Sequence, residues 1–329
     1  MKTFLRYSIV AIVLFAAFAW LNNTSLFSAP RRGTPLLLAH RGLAQTYTRE
    51  DLERDTCTAT RINPPEHAFI ENTIASMQVA FAAGASVLEF DVHPTTDGNF
   101  AVFHDWTLDC RTEGHGRTRD HAIADLKKLD VGHGYTSDGG QTFPLRGKGV
   151  GLMPSLDEVL NAFPAKRFLI NVKSNDASEG EKLAAHLAKL PLEARSLLMV
   201  YGGTSPVELV REKLPDVAVG SKRSLQNCIL RYILLGWSGH VSDDCRAGLM
   251  LVPLNVAPWL WGWPDKFLQR MDDAGVQVFV LGPYDGGLGT SGIDDVQQLS
   301  DLPSGFTGGI WTNRIDRIGS AARGNAVAP

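Results

Sequence analysis

The chain has 329 residues, 44% of them hydrophobic, which allows one large α/β domain or two smaller ones with a sizeable core and excludes a disordered chain. Lys and Arg number 32 and Asp and Glu 35, so the formal charge is -3. This near balance provides no basic surface for nucleic acid, and no nucleic-acid partner is expected.

Residues 1–30 predict an export signal or a membrane anchor. Lys2 and Arg6 precede an apolar run from Ser8 to Leu21, which is short for a full span of about 20 residues. Phe27 occupies a position that a cleavage site after Ala29 requires to be small, and this favours an uncleaved anchor over a cleaved signal peptide. We therefore expect a membrane-anchored protein that faces the periplasm or exterior, or a secreted one if the segment is cleaved.

From Leu36 onward, short apolar runs alternate with segments of helical period, which predicts parallel strands joined by helices. Eight runs are interpreted as strands, at 36–39, 86–92, 167–173, 196–201, 217–221, 249–254, 276–282 and 308–312. None is followed by the glycine-rich phosphate loop of an open nucleotide-binding sheet. The predicted fold is an α/β (β/α)8 TIM barrel over residues 34–320, preceded by an N-terminal hydrophobic helix.

Two stretches interrupt the alternation. Residues 93–154 are rich in Gly, Asp, His and Thr and predict a small insertion after the second strand, with one helical piece at 122–130. Residues 224–263 are long and aromatic, and end in a run that contains Trp259, Leu260, Trp261 and Trp263. We expect this run to pack as a loop, with an exposed patch that touches lipid as the alternative.

The four cysteines form no C-x-x-C pair, so a zinc site is not expected. Disulfides form in exported proteins, and one hypothesis pairs Cys57 with Cys110 and Cys228 with Cys245. Four free thiols are the alternative.

Four short motifs carry candidate site residues: AHRG at 39–42, ENT at 71–73, EFD at 89–91 and FHD at 103–105. Glu89 and Asp91 alternate along a strand, so both point to one face, where they repel each other unless a cation separates them. A hard divalent ion with oxygen ligands, Mg²⁺ or Ca²⁺, would remove the conflict. We therefore expect one divalent cation as cofactor.

His40 and His104 each follow an apolar run, at the carboxyl ends of strands where barrels gather their active sites. Imidazole titrates near neutral pH, so the pair suits general acid–base catalysis. Arg41 and Lys173 supply positive charge for an anionic phosphate. A metal, two proton-transfer groups and two cations together predict a site that cleaves a phosphodiester.

The segments LLLAHRG, ENTIASMQVAFAAGASVLEFDV, MPSLDEVL and FLINVK follow the order found in the glycerophosphodiester phosphodiesterase family, which the chain resembles from Leu36 to Lys173. The resemblance implies a (β/α)8 barrel with a small insertion after the second strand. It also implies hydrolysis of a small-molecule or lipid-derived phosphodiester to glycerol 3-phosphate and an alcohol.

The resemblance assigns roles to six residues: His40 and His104 as acid–base pair, Arg41 and Lys173 as phosphate-binding groups, and Glu89 and Asp91 as metal ligands. Glu71 is a further candidate that either touches the metal or orients Arg41. Asn171 stands where the family usually has a third carboxylate ligand. Its carbonyl oxygen remains a candidate ligand, and we expect weaker metal binding or a different preferred ion.

A second departure lies at 279–287, where FVLGPYDGG replaces the family's aromatic segment near the seventh strand. It affects contacts to the alcohol side of the substrate, so strict glycerophosphodiester specificity is less strongly predicted than phosphodiester cleavage. Two alternative functions remain. One is a phospholipase D-like hydrolase of lysophospholipids or sphingolipids at the membrane surface. The other is a catalytically silent barrel.

Overall fold

The structure is a computed structural model that describes residues 2–26, 31–53, 55–246, 248–287 and 290–325. The described strands are β1 (Leu36–His40), β2 (Val87–Pro94), β3 (Phe100–Val102), β4 (Arg167–Val172), β5 (Leu198–Gly202), β6 (Ala218–Ser221), β7 (Leu249–Pro253), β8 (Gln277–Leu281) and β9 (Gly309–Thr312). The described helices are α1 (Lys2–Asn23), α2 (Ile74–Ala82), α3 (Ile123–Leu126), α4 (Leu156–Ala162), α5 (Ala177–Leu187), α6 (Leu192–Arg195), α7 (Thr204–Lys213), α8 (Lys222–Leu235), α9 (Asp265–Asp273), α10 (Val296–Ser300) and α11 (Ile315–Asn325).

Eight parallel strands form a barrel in the order β6-β5-β4-β2-β1-β9-β8-β7. Between β6 and β7 the described residues make one parallel bridge, Val219 to Gly248, so the barrel is nearly closed. The short strand β3 pairs antiparallel with β2 at the start of the insertion. The predicted (β/α)8 fold with an insertion after the second strand is confirmed.

Strand alternation divides the buried side chains into an inner and an outer set. On β2, Leu88, Phe90 and Val92 pack outward against the helices. Val87 points inward, and the inner layer at the amino-terminal end of the strands is apolar, made of Leu38, Val87, Leu169, Met199, Leu249, Phe279 and Trp311. Burial of each side chain of this size contributes about 1.5–3 kcal/mol to the free energy of folding. The apolar layer therefore stabilises the barrel directly beneath the polar residues.

The insertion has a small core of its own, which includes Phe103, Leu126, Tyr135 and Met153. The helix predicted at 122–130 is one turn, Ile123–Leu126, because the chain then bends back to a bridge between Asp130 and Val150. A disulfide from Cys57 to Cys110 ties the loop after β1 to this insertion. A second disulfide joins Cys228 to Cys245, so the hypothesis of two disulfides agrees with the structure.

The stretch 224–263 is more regular than its sequence indicates, because α8 occupies its first third. Its aromatic end divides into two parts. Leu260 is buried and Trp263 packs against the core, as expected for a loop, whereas Trp259 is 74% exposed and Trp261 37%.

Helix α1 is the predicted N-terminal hydrophobic helix. Its segment Phe4–Asn23 has a mean hydropathy of 2.0 and is long and apolar enough to cross a membrane, a test that a signal sequence also passes. Residues 27–30, which include Phe27 and Ala29 of the potential cleavage site, lie outside the described residues. Anchoring and the bounds 1–30 and 34–320 therefore stay predictions.

Candidate active site

The strand register brings the predicted residues together at the carboxyl-terminal end of the barrel. His40 is level with Glu89 on the neighbouring strand. Asp91 is level with Asn171, which is in turn level with Tyr201. These residues face the barrel interior on the same strands as the apolar layer, but nearer the carboxyl ends. The site therefore lies directly above that layer.

The HRG turn after β1 is strained and closely packed. Arg41 has a φ of 59° and Gly42 a φ of 81°, and a Cβ on Gly42 would lie 2.5 Å from the Ser76 hydroxyl of α2. Two backbone hydrogen bonds hold the turn, from Arg41 to Glu89 and from Asn72 to Arg41. Glycine is needed at 42 because the turn requires left-handed backbone and no side chain.

The fully buried Asp91 is the negative centre of the site. Its Oδ1 accepts a hydrogen bond of 2.9 Å from the Asn171 amide, and its Oδ2 one of 3.2 Å from Asn72. Arg41 Nε lies 3.1 Å from Oδ2 and Lys173 Nζ 3.9 Å from Oδ1. Burial alone raises the pKa of Asp91, but Arg41 and Lys173 outweigh it and hold that pKa well below its usual range.

Glu89 is in the opposite state. Its Oε1 accepts a hydrogen bond of 2.6 Å from the Tyr201 hydroxyl. Its Oε2 is buried without a hydrogen-bond partner among the described residues and lies 3.6 Å from His40 Nε2. Burial and the charge of Asp91 raise the pKa of Glu89 to about 8. The repulsion expected from the sequence therefore appears as one ionised carboxylate beside a second whose ionised form is costly.

His40 is oriented by Asn313, which directly follows β9, and by Asp294 in the loop before α10. Its Nδ1 lies 2.5 Å from Asn313 Oδ1, and Asn313 donates to Asp294 through its side-chain amide at 2.8 Å. Because Asn313 offers an oxygen, the His40 proton is assigned to Nδ1, which leaves Nε2 unprotonated towards Glu89. Burial, helped by Arg41, lowers the pKa of His40 well below its ordinary value.

His104 is held between Asp105 and Lys173, one at each ring nitrogen. Its Nδ1 lies 2.6 Å from Asp105 Oδ1, and its Nε2 lies 2.8 Å from Lys173 Nζ. Lys173 donates to Nε2, so the ring proton is assigned to Nδ1. Burial and the charges of Arg41 and Lys173 lower the pKa of His104.

Glu71 lies between two arginines. Its Oε1 is 3.1 Å from Arg41 Nη1, and its Oε2 is 3.2 Å from Arg111 Nη1. Arg111, from the insertion, also donates from Nε to Asp105 at 2.9 Å. Of the two roles considered for Glu71, these contacts favour the orientation of Arg41.

Several site residues were not identified from the sequence. Asp105 and Asn72 stand within the FHD and ENT motifs, so adjacency was a usable signal. Tyr201 ends the apolar run 196–201, whereas buried Arg111 has no signal in its own segment. His93, by contrast, is indicated by the strand alternation, which puts it on the face of Glu89 and Asp91; its Nε2 lies 3.3 Å from the His104 carbonyl oxygen.

Two clefts reach the site. One of about 760 Å³ is lined by His40, Arg41 and Glu71. Another of about 480 Å³ is lined by His104 and Lys173. Each imidazole is therefore reached from a different cleft, His40 from the first and His104 from the second. Arg41 and Lys173 lie close to the buried carboxylates.

The oxygen donors of this site suit a hard cation. Glu89 Oε2 is a buried acceptor without a partner in the described chain, and Asp91 and Asn171 offer oxygens beside it. Among all the residues that the structure describes, no group of three or more His, Cys, Asp and Glu side chains is arranged so that it could hold a metal ion. The neutral Asn171, where a third carboxylate was expected, accords with that result.

Comparison with known proteins finds relatives of this chain. A model described as the Glycerophosphoryl diester phosphodiesterase family matches residues 40–198. A glycerophosphodiester phosphodiesterase of Bacillus subtilis (strain 168) is 40% identical over 125 residues, which are 36% of this chain and 41% of that protein. One from Caldanaerobacter subterraneus is 31% identical over 155 residues, 46% of this chain and 60% of the relative. The chain thus matches about half the length of these relatives.

Solved structures share the fold at low sequence identity. The glycerophosphoryl diester phosphodiesterase domain of a Mycobacterium tuberculosis protein has a TM-score of 0.61 at 16% identity, covering 88% of this chain and 99% of that one. An Oleispira antarctica phosphodiesterase, solved with the product sn-glycerol-3-phosphate, has a TM-score of 0.56 at 19% identity, covering 88% and 97%.

Fold and site together define a (β/α)8-barrel protein with paired histidines, paired cations and paired carboxylates at the carboxyl ends of its strands. Within that class, residues 40–198 of the chain match the glycerophosphoryl diester phosphodiesterase family.

Proposed function

We propose that this protein is a metal-dependent phosphodiesterase that hydrolyses glycerophosphodiesters to glycerol 3-phosphate and an alcohol. The observation that carries the proposal is the pair of separately oriented imidazoles, His40 on Asn313 and His104 on Asp105, around the two cations Arg41 and Lys173. Acid–base chemistry on a phosphodiester needs one group to take a proton and another to give one, with positive charge between them.

Arg41 and Lys173 would hold the phosphate. Arg41 is fixed by Glu71 and Asp91, so little side-chain entropy is lost when it binds an anion. Lys173 is partly buried beside Asp91 and already donates to His104. A phosphodiester between them would replace part of their present contacts and lie within reach of both imidazoles.

The two histidines would exchange protons with the reacting oxygens. Both are neutral in the free site because burial lowers their pKa values. One imidazole takes the proton of the nucleophile, a water or a neighbouring glycerol hydroxyl, as its oxygen forms a bond to phosphorus. The other, protonated once the anionic substrate raises its pKa, delivers a proton to the departing alkoxide as the second P–O bond breaks. When a glycerol hydroxyl attacks, water opens the cyclic phosphate by the reverse proton transfers.

A divalent cation, Mg²⁺ or Ca²⁺, would be held by Glu89 and Asp91, with the carbonyl oxygen of Asn171 and, less directly, Glu71 as further candidates. When bound, it supplies positive charge that polarises the phosphoryl group. The unpartnered oxygen of Glu89 supports this assignment. Glu89 must be ionised to bind, and its raised pKa makes the proposed affinity depend on pH.

Export, with α1 as anchor, is the proposed location. The last turns of α1 contact segments that precede β7 and β8, whereas the site residues follow strand ends at the opposite face of the barrel. This arrangement favours soluble diesters over bilayer lipids, and therefore favours the glycerophosphodiesterase over a phospholipase D-like enzyme.

The test is turnover by the purified full chain. Glycerophosphocholine is supplied with Mg²⁺, Ca²⁺ or Mn²⁺, and release of glycerol 3-phosphate is measured beside turnover of lysophosphatidylcholine micelles. We expect the soluble diester to be hydrolysed, EDTA to abolish the activity, and His40→Ala and His104→Ala each to lower kcat at least about a hundredfold. Hydrolysis of micelles alone would support the phospholipase D-like enzyme, and no turnover with any ion would support a silent barrel.

A further inference from the structure

Helix α8 and the adjacent loop that contains Trp259 and Trp261 expose an apolar surface that the proposed chemistry does not use. Five of the ten large apolar side chains exposed in the described part of the chain from residue 31 onward lie here: Leu230, Leu234, Leu235, Trp259 and Trp261. Trp259 is 74% exposed and Leu234 70%. We call these five residues the α8 patch.

The five residues form one surface because the loop is bonded to the end of α8. The indole Nε1 of Trp261 donates to the Ile233 carbonyl at 2.8 Å, and the Tyr232 hydroxyl donates to the Trp261 carbonyl at 2.9 Å. Leu230 and Leu234 are one turn apart on the exposed face of α8. The α8 patch is therefore held in place by a rigid helix and its hydrogen bonds.

The α8 patch adjoins the site where the apolar N-terminal helix meets the barrel. Trp237, two residues after α8, packs its ring against Phe15 at 4.9 Å and accepts hydrogen bonds on its carbonyl from Asn22 and Asn23. Arg270 of α9 donates to the Asn23 side chain at 2.8 Å. If α1 crosses a bilayer, its docked end and the end of α8 lie at the same membrane surface.

The charge pattern of α8 matches a lipid surface. Its exposed side begins with Lys222, Arg223 and Gln226 next to β6 and ends with Leu230, Arg231, Leu234 and Leu235. The helix contains no acidic residue, and Arg231 pairs with Asp244 of the following loop. A helix with basic residues beside exposed Leu and Trp is the composition that binds at the headgroup boundary. Tryptophan is itself favoured at that depth.

We propose that the α8 patch is a second membrane contact, with a lipid bilayer as its occupant. It rests on the anchoring part of the proposed function and not on the phosphodiesterase chemistry. With α1 embedded, Trp259, Leu230 and Leu234 enter the headgroup boundary, and Arg231, which lies between the two leucines in the chain and pairs with Asp244, is at the level of the lipid phosphates. The barrel is then held against the membrane at two places, which restricts its rotation about the anchor.

The test uses the full chain in vesicles of phosphatidylcholine and phosphatidylglycerol, with or without bromine on the acyl chains. The emission of Trp259 is the difference between wild type and Trp259→Phe, and that of the anchor is the difference between wild type and Trp20→Phe. Bromine quenches a tryptophan that touches lipid, so we expect both differences to be quenched. Leu234→Asp should lower quenching of Trp259 by about half or more, because an ionised carboxylate resists the boundary region.

The matched control is Leu192→Asp, an exposed leucine on α6, which should leave the quenching of Trp259 unchanged. Quenching of Trp20 without quenching of Trp259 overturns the second contact and leaves the anchor intact. Absence of both overturns contact and anchor together. A Trp259 emission that follows the protein-to-lipid ratio and ignores bromine shows a second copy of the chain on the α8 patch and also overturns the proposal. Turnover of glycerophosphocholine, measured separately, tests the chemistry independently.

Discussion

Asp105→Asn tests whether the orientation of His104 matters for the reaction. Asp105 accepts two hydrogen bonds, one from His104 Nδ1 at 2.6 Å and one from Arg111 Nε at 2.9 Å. An asparagine has one acceptor oxygen, so its amide must face one of these two donors. If it faces His104, the ring proton moves to Nε2, where Lys173 already donates.

Either outcome removes a charge-assisted hydrogen bond, worth about 1.5–3 kcal/mol, so kcat should fall about 10- to 150-fold. Asp105 also raises the pKa of His104. The limb of the pH–rate profile that belongs to His104 should therefore move to lower pH. The assay is kcat across the pH range with glycerophosphocholine, with thermal unfolding measured in parallel to show how much of the loss comes from stability.

The control is Asp109→Asn, which makes the same change in a solvent-exposed aspartate 2.9 Å from His115. It should leave kcat and the pH profile unchanged, because exposed pairs contribute little. A kcat for Asp105→Asn within about threefold of wild type, with unmoved limbs, would refute the assigned role of Asp105.

Three further predictions concern the metal site and the fold. Asn171→Glu adds a third carboxylate, so calorimetry should show divalent-ion binding at least about tenfold tighter. Tyr201→Phe removes the hydrogen bond that stabilises ionised Glu89, whose pKa is about 8, so the pH midpoint of metal binding should move upward. Replacing Cys228 and Cys245 with serine opens a loop with a sequence separation of 17, and urea unfolding should show a loss of about 3 kcal/mol.

Each of these predictions has a contrary outcome. Unchanged ion affinity in Asn171→Glu would mean that residue 171 is not a ligand. A midpoint that moves downward in Tyr201→Phe would contradict the sign of the hydrogen-bond effect on Glu89. For the disulfide, the comparison is the pair Cys57–Cys110, whose separation of 53 predicts a larger loss of about 4 kcal/mol. Equal mass after alkylation with and without reductant would show that the cysteines are free.

Much of the fold follows from local pattern. The alternation of apolar runs and helical segments predicts parallel strands, because such strands need crossover helices. The same period places Glu89 and Asp91 on one face of β2, and the structure has them there. Stretches with weak pattern were interpreted less well: the helix predicted at 122–130 is a single turn, and α8 lies within the stretch 224–263.

The motifs by themselves identified the candidate histidines, cations and carboxylates, because each residue type has a chemistry that its neighbours in the chain make useful. Only the tertiary structure decided which charges meet. Tyr201 reaches Glu89 across 112 positions of sequence, and Asn313 reaches His40 across 273. Arg111 joins Asp105 to Glu71 from within the insertion. Such pairings depend on strand register around the barrel and on how the insertion folds back, and both are set by packing between distant segments that no local pattern encodes.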